Sequence, residues 1–322
     1  MKGRSFYLDA PKTLVWREED LPAPAPNEAL VESMVGAVSV GSELPEYLGM
    51  ARESNGGYPR MTGYENVAVV QGCGSEVTRV SPGNRVVASY GHSTHAILHE
   101  DSLISIPDEV PDALALLSIL SCDVAKGVRK LRPMPEERTL VTGAGAIGLL
   151  AVFVLRSYGV RLVDVVEPEH NRRELALKFE ASEVVGPAQA EDLSGSYPVC
   201  LECSARQEAF AFAQRNATTR GRLCILSDGN VETLALTPDF HEKELSILGS
   251  SDGWDYCLHA DWFFGLVAEG KADHLTELFG LEVPVEDLPA AYDQISGSQV
   301  RPVKILGAVF KDVSLKAWHE RS

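Results

Sequence analysis

The sequence concentrates its chemistry at Thr139-Leu-Val-Thr-Gly143-Ala-Gly145-Ala146-Ile147-Gly148. A β-type run enters glycines spaced G-x-G-x-x-G, and an apolar stretch leaves them. A turn of this kind, between a strand and a helix, cradles a pyrophosphate. Gly143 allows the tight turn, Gly145 lets backbone approach the phosphates, and Gly148 lets the helix pack on the sheet. Ala146 and Ile147 then open the helix, offering unpaired N–H groups and the positive end of its dipole. Glu167 ends the next β-type run, roughly 20 residues beyond the first glycine, where an acid accepts hydrogen bonds from ribose hydroxyls. A carboxylate there repels a 2′-phosphate, so NAD(H) is the preferred cofactor. Arg172 and Arg173 follow closely and keep NADP(H) possible.

Other constellations carry less. His92-x-x-His95-x-x-x-His99 matches no standard metal spacing. On a strand over 94–99, His95 and His99 share a face and His92 lies outside it, free to line a substrate pocket. Cys200 and Cys203 sit on a buried strand and face opposite sides, unlike a redox pair at a helix start. The aromatic run Trp254 to Phe264 reads as core or dimer contact.

These residues need elements to hold them. The chain begins as β-type runs at 14–17, 29–40, 66–72 and 85–89, punctuated by turns such as Ser81-Pro-Gly-Asn. Together they predict a β-barrel-type domain. The texture changes near Pro111. A helix over 112–131 is followed by strands at 139–142, 162–166, 183–185, 199–202 and 223–226. Helices at 149–158, 171–179 and 207–216 alternate with them. This alternation predicts an α/β, doubly wound parallel sheet. From 283 onward the pattern returns to loops, strands and a short helix.

Composition sets outer limits. The 322 residues suggest about two domains, and a chain this long folds without staples. The net charge of −17 disfavours nucleic acid and anionic membrane surfaces as partners. No apolar run is long enough to span a bilayer, and the N-terminal residues show no signal-peptide pattern. Six scattered cysteines read as free thiols, so a cytoplasmic protein is expected.

The order of parts, and the segments Gly63-Tyr-Glu65, Gly83-Asn-Arg-Val-Val87, Leu103–Pro107, the glycine motif, Arg220-Gly-Arg-Leu and Pro302-Val-Lys-Ile-Leu, are similar to the medium-chain dehydrogenase/reductase superfamily across nearly the whole chain. That resemblance implies a GroES-like β-barrel catalytic domain at 1–119 and 266–322, and a Rossmann domain at 120–265. It further implies a homodimer and a small-molecule substrate. It places Ser42 beside the nicotinamide ribose and Lys304 near the pyrophosphate. The nearest likeness, through Ser-Val-Gly-Ser42-Glu43 and Tyr58-Pro59, is to bacteriochlorophyllide dehydrogenase-like proteins.

Departures from the pattern matter as much. Zinc-type alcohol dehydrogenases carry Cys-Gly-Thr/Ser-Asp where Val40-Gly41-Ser42-Glu43 stands, and Gly-His-Glu where Gly63-Tyr64-Glu65 stands. The third ligand position falls near Ser118, and catalytic zinc needs about three protein ligands. The chain therefore resembles a member without zinc. Tyr64 becomes the candidate proton donor to a substrate oxygen, with Ser42 as relay and Glu65 as acid/base partner. Tyr47 is a second phenol within range of the cleft. Hydride transfer between an alcohol and a ketone is the expected reaction. An enoyl or quinone reductase, and a catalytically inactive NAD(H)-binding protein, are the alternatives.

Overall fold

The computed structural model describes residues 1–50, 57–190, 193, 197–227, 232–298 and 301–309. The chain forms two units. One comprises Met1–Leu116, Phe264–Gly270 and the chain from Leu278 onward; the other comprises Leu117–Phe263 and Lys271–Glu277. The sequence reading puts the boundaries at 119/120 and 265/266, and assigns 271–277 to the first domain.

The first unit opens with an antiparallel hairpin of β1 (Lys2–Ala10) and β2 (Thr13–Asp20). The sequence reading passes over β1, whose polar residues break any continuous apolar run. Phe6 and Leu8 nevertheless point inward, and Phe6 stacks on Trp16 with ring centroids 3.8 Å apart. Next come β3 (Glu28–Val38) and the helix α1 (Val40–Tyr47). The sequence reading gives no helix here, and Pro45 lies inside it. Proline gives up the bond to the carbonyl four residues back and crowds it, and that residue, Gly41, is exposed to solvent.

The short β4 (Arg60–Met61) pairs with β1. The strands β5 (Glu65–Cys73), β6 (Arg85–Ala88), β7 (His95–His99) and β8 (Ile104–Ser105) follow. A seven-stranded sheet runs β15-β16-β3-β5-β6-β8, with β7 also on β3; β15 (Phe279–Pro284) and β16 (Lys304–Val309) come from the end of the chain. The core here gathers Phe6, Leu8, Val38, Tyr47, Tyr292 and Ile305.

Helix α2 (Asp112–Leu131) contains the boundary into the second unit. There β9 (Thr139–Thr142), α3 (Ala146–Ser157), β10 (Val163–Val166), α4 (His170–Lys178) and β11 (Glu183–Val185) alternate. Then come β12 (Tyr197–Glu202), α5 (Gln207–Asn216), β13 (Ala217–Ile225), α6 (Pro238–Glu242) and β14 (Ser246–Gly249). All six strands are parallel, in the order β11-β10-β9-β12-β13-β14. That is the doubly wound order 3-2-1-4-5-6, whose switch point lies at the first strand. Buried on both faces, β9 and β10 carry no exposed residue. Helix α7 (Tyr256–Ala268) and helix α8 (Leu288–Ser296) complete the chain's helices among the described residues. No described helix is long and apolar enough to cross a membrane.

Candidate active site

The glycine turn lies at the C-terminal end of β9, at the switch point. Gly143 has φ +90°, and a Cβ there would sit 3.0 Å from Ser204 Cβ. A Cβ on Gly148 would fall 1.9 Å from the carbonyl oxygen of Gly143, so helix and turn could not coexist. Gly145 differs. A Cβ there meets no protein atom within 4 Å, and its φ of −75° suits any residue. The protein itself does not require glycine at this position. It is also the N-cap of α3, so the N–H groups of Ala146 and Ile147 begin the helix beside it.

Glu167 is buried just beyond β10 and reaches back to this turn. Its Oε2 accepts the Ala144 N–H at 2.6 Å and its Oε1 accepts the Glu169 N–H at 2.9 Å. Arg173 is fixed on the carbonyls of Glu167 and Pro168. Arg172 is half-buried, and its Nε has no protein partner among the described residues. Cys200 and Cys203 are free thiols, their pKa values raised first by burial.

In the first unit, Tyr64 precedes β5 and its phenol lies beside the hydroxyls of Ser39 and Ser42. Ser39 caps α1 and Ser42 lies in its first turn. Burial, and then the charge of Glu65, push the phenol far above the ordinary tyrosine value; the two hydroxyls pull weakly the other way. Tyr64 therefore keeps its proton throughout the neutral range.

Glu65 opens β5 fully buried, and its Oε1 accepts Lys304 Nζ at 2.6 Å. Burial raises the Glu65 pKa, with Lys304 opposing. Its Oε2 has no protein partner among the described residues. The resemblance sets Lys304 near a pyrophosphate. In its own unit the Lys304 side chain is wholly buried, with its ammonium on Glu65. Tyr47 is likewise unavailable, since it is 3% exposed and its hydroxyl donates to Asp293 at 2.7 Å.

One cluster escapes the sequence reading. Glu43 is buried on α1, and its Oε1 accepts the Ser39 N–H at 2.8 Å. Its Oε2 receives both the Tyr292 hydroxyl at 2.7 Å and His92 Nε2 at 2.9 Å. Burial opposes ionisation of Glu43, but His92, Tyr292 and the Ser39 N–H outweigh it and hold the carboxyl below its usual range. The only signal in the sequence is that Glu43 replaces an aspartate of the zinc-type pattern. Nothing near 43 announces partners at 92 and 292. His92 is thus not a pocket-lining residue; it is fully buried on this carboxylate. His95 Nδ1 meets Thr94, and His99 Nδ1 accepts the Asp101 N–H, so the three histidines do not converge. Among the described residues, no group of three or more His, Cys, Asp and Glu is placed to hold a metal ion.

Comparison with known proteins agrees with this architecture. Residues 146–260 match the zinc-binding dehydrogenase family profile. The chain is 26% identical over 280 residues to L-galactonate-5-dehydrogenase of Escherichia coli K12, covering 74% of this chain and 80% of the relative. A structure described as a putative zinc-binding dehydrogenase from Sinorhizobium meliloti 1021, bound to NADP, superposes with TM-score 0.82 at 21% identity, covering 96% of this chain and 99% of that one. A short chain alcohol dehydrogenase from Escherichia coli CFT073, complexed with NADH, superposes with TM-score 0.82 at 20% identity, covering 95% and 99%. The fold is that of the medium-chain dehydrogenases, with a Rossmann domain and a catalytic domain, and residues 146–260 match their family profile. It is an enzyme of the dehydrogenase/reductase type.

Proposed function

We propose that this enzyme moves a hydride between a nicotinamide cofactor and the carbinol carbon of a small alcohol or polyol, and does so without zinc. The observation that carries the reading is Tyr64 beside Ser39 and Ser42, next to Glu65, where zinc-type relatives place a histidine ligand. The donor set does not fit zinc. Val40 has no donor atom, one oxygen of Glu65 is taken by Lys304, the Tyr64 phenol keeps its proton, and Glu43 already accepts from three groups.

The nicotinamide supplies and receives the hydride. Gly143, Gly145, Gly148 and the first N–H groups of α3 would hold its pyrophosphate. The open side of Gly145 supports this, because it leaves the backbone there free for a phosphate to approach. Glu167 favours NAD(H) over NADP(H) by repelling a 2′-phosphate. In the reducing direction Tyr64, protonated at neutral pH, donates its proton to the ketone oxygen as the hydride reaches carbon, and Ser42 relays a replacement proton from solvent to the phenol. Edge strand β14, with exposed Leu248, Trp254 and Leu258 nearby in sequence, supports a homodimer. Six free cysteines support a reducing compartment such as the cytoplasm.

The test assays purified protein with NAD⁺ on butane-2,3-diol, benzyl alcohol and L-threonine, and with NADH on a matched ketone, an enone and a quinone. The reading expects alcohol oxidation, less than a tenth of a zinc per chain by elemental analysis, and indifference to chelators. Tyr64→Phe should lower kcat by about 10²–10⁴-fold with NADH affinity kept. One zinc per chain, or full activity in Tyr64→Phe, overturns it. Turnover of the enone or quinone alone moves the enzyme to the reductase class. NADH binding with no turnover makes it a binding protein.

A further inference from the structure

The buried cluster of Glu43, His92 and Tyr292 touches both halves of the Tyr64 site. On one side, Glu43 Oε1 holds the N–H of Ser39. The carbonyl of Ser39 in turn accepts the N–H groups of Ser42 and Glu43. Glu43 thereby fixes the first turn of α1, which presents the two hydroxyls lying beside the Tyr64 phenol. On the other side, His92 grips the segment that leads into Tyr64. Its backbone N–H donates to the Thr62 carbonyl at 2.6 Å. Its ring lies against Gly63, so closely that a Cβ there would come within 2.6 Å of the imidazole. Gly63 has φ +88°, which favours glycine, and the ring fills the space a side chain would need.

Both sides meet at one atom. Glu43 Oε2 accepts from His92 and from Tyr292 on α8, and all three side chains are buried. Two long side chains and a carboxylate held this way in a dry interior have little freedom to shift. Apolar side chains of similar volume would fill the same space with less desolvation cost, so core filling alone does not explain the polar choice.

We propose that Glu43, His92 and Tyr292 are positioning residues that hold the Tyr64 phenol in register with the Ser39 and Ser42 hydroxyls for proton transfer. The proposal rests on the Tyr64 reading above. Misplacement of a reacting group by about 1 Å costs on the order of 100-fold in rate, so the cluster's contribution is measurable.

The experiment is a double-mutant cycle on kcat for the alcohol turned over best in the panel, with saturating NAD⁺. The forms compared are the parent, Tyr64→Phe, His92→Leu and the double variant. His92→Leu should lower kcat by roughly 10–100-fold and leave NADH affinity unchanged. Adding it to Tyr64→Phe should lower kcat by less than about twofold, because its effect runs through the missing hydroxyl. His92→Gln keeps a donor toward Glu43 and should recover part of the loss. If His92→Leu fails to fold, Tyr292→Phe removes one hydroxyl from Glu43 and takes its place in the cycle. Equal losses in both backgrounds, or no loss in either, overturn the positioning role while Tyr64 stands. Full kcat in Tyr64→Phe, or a parent that oxidises no alcohol of the panel, overturns both readings.

Discussion

Lys304 Nζ stands 2.6 Å from Glu65 Oε1, and neither side chain exposes any surface. Two opposite charges so placed depend on each other. Lys304→Met leaves the Glu65 carboxyl buried without its cation, and breaking a buried pair in this way costs about 3–5 kcal/mol. Urea unfolding followed by circular dichroism should show that loss. Lys304→Met combined with Glu65→Leu should regain most of it, since no unpaired charge remains. A single-variant loss below about 1 kcal/mol would refute the mutual dependence.

The glycines of the nucleotide turn separate fold from binding. Gly145→Ala adds a methyl that meets no protein atom, so its melting temperature should match the parent's within about 1–2 °C while NADH affinity falls at least tenfold. Gly148→Ala should fail to fold or lose several kcal/mol, because its Cβ overlaps the Gly143 carbonyl. Calorimetry and fluorescence titration check the pair. Unchanged NADH binding by Gly145→Ala argues against the pyrophosphate site.

Glu167 has a double role, and its removal should show both. Glu167→Ala deletes the acceptor of the Ala144 N–H and also the charge that opposes a 2′-phosphate. NADH should bind more weakly, and the ratio of NADPH to NADH dissociation constants should fall by about tenfold or more, which corresponds to about 1.4 kcal/mol or more of like-charge repulsion. An unchanged ratio assigns cofactor choice to Arg172 and its neighbours.

The glycine turn was legible because its residues serve one local geometry within a short window. The helix at 112–131 and the strands at 139–142 and 183–185 were legible because their apolar residues keep one period. The proposed pairing of Tyr64 with Ser42 came from motif positions, and Ser42 is among the groups that act on the Tyr64 phenol. The partners of Lys304 and Tyr47, Glu65 and Asp293, were not legible, because a motif position says nothing about which neighbour claims a charge or a hydroxyl. The Glu43 cluster joins residues 43, 92 and 292, and no spacing rule connects such distant positions.

His259 offers a test by pH. It is buried on α7 with Nε2 3.0 Å from Ser121 Oγ, and burial, then Arg129, lowers its pKa to about 4. In the unfolded chain the imidazole takes a proton near its ordinary value of about 6.5. Between the two values the unfolded state binds more protons, so stability falls as pH drops from about 6.5 to about 4 and this contribution levels off below. The total is on the order of 3 kcal/mol. His259→Gln should flatten that part of the stability profile. A parallel profile in the variant assigns the acid sensitivity elsewhere.

The ring of His92 against Gly63 also limits which residues this turn can accept. Cysteine at 40 and histidine at 64 would restore two residue types of the zinc-type pattern. They would still enter a surround in which Glu43 is claimed by His92 and Tyr292, and in which position 63 is sealed by an imidazole. Positions 63 and 92 are therefore tied as a pair: any side chain at 63 requires a smaller group than an imidazole at 92.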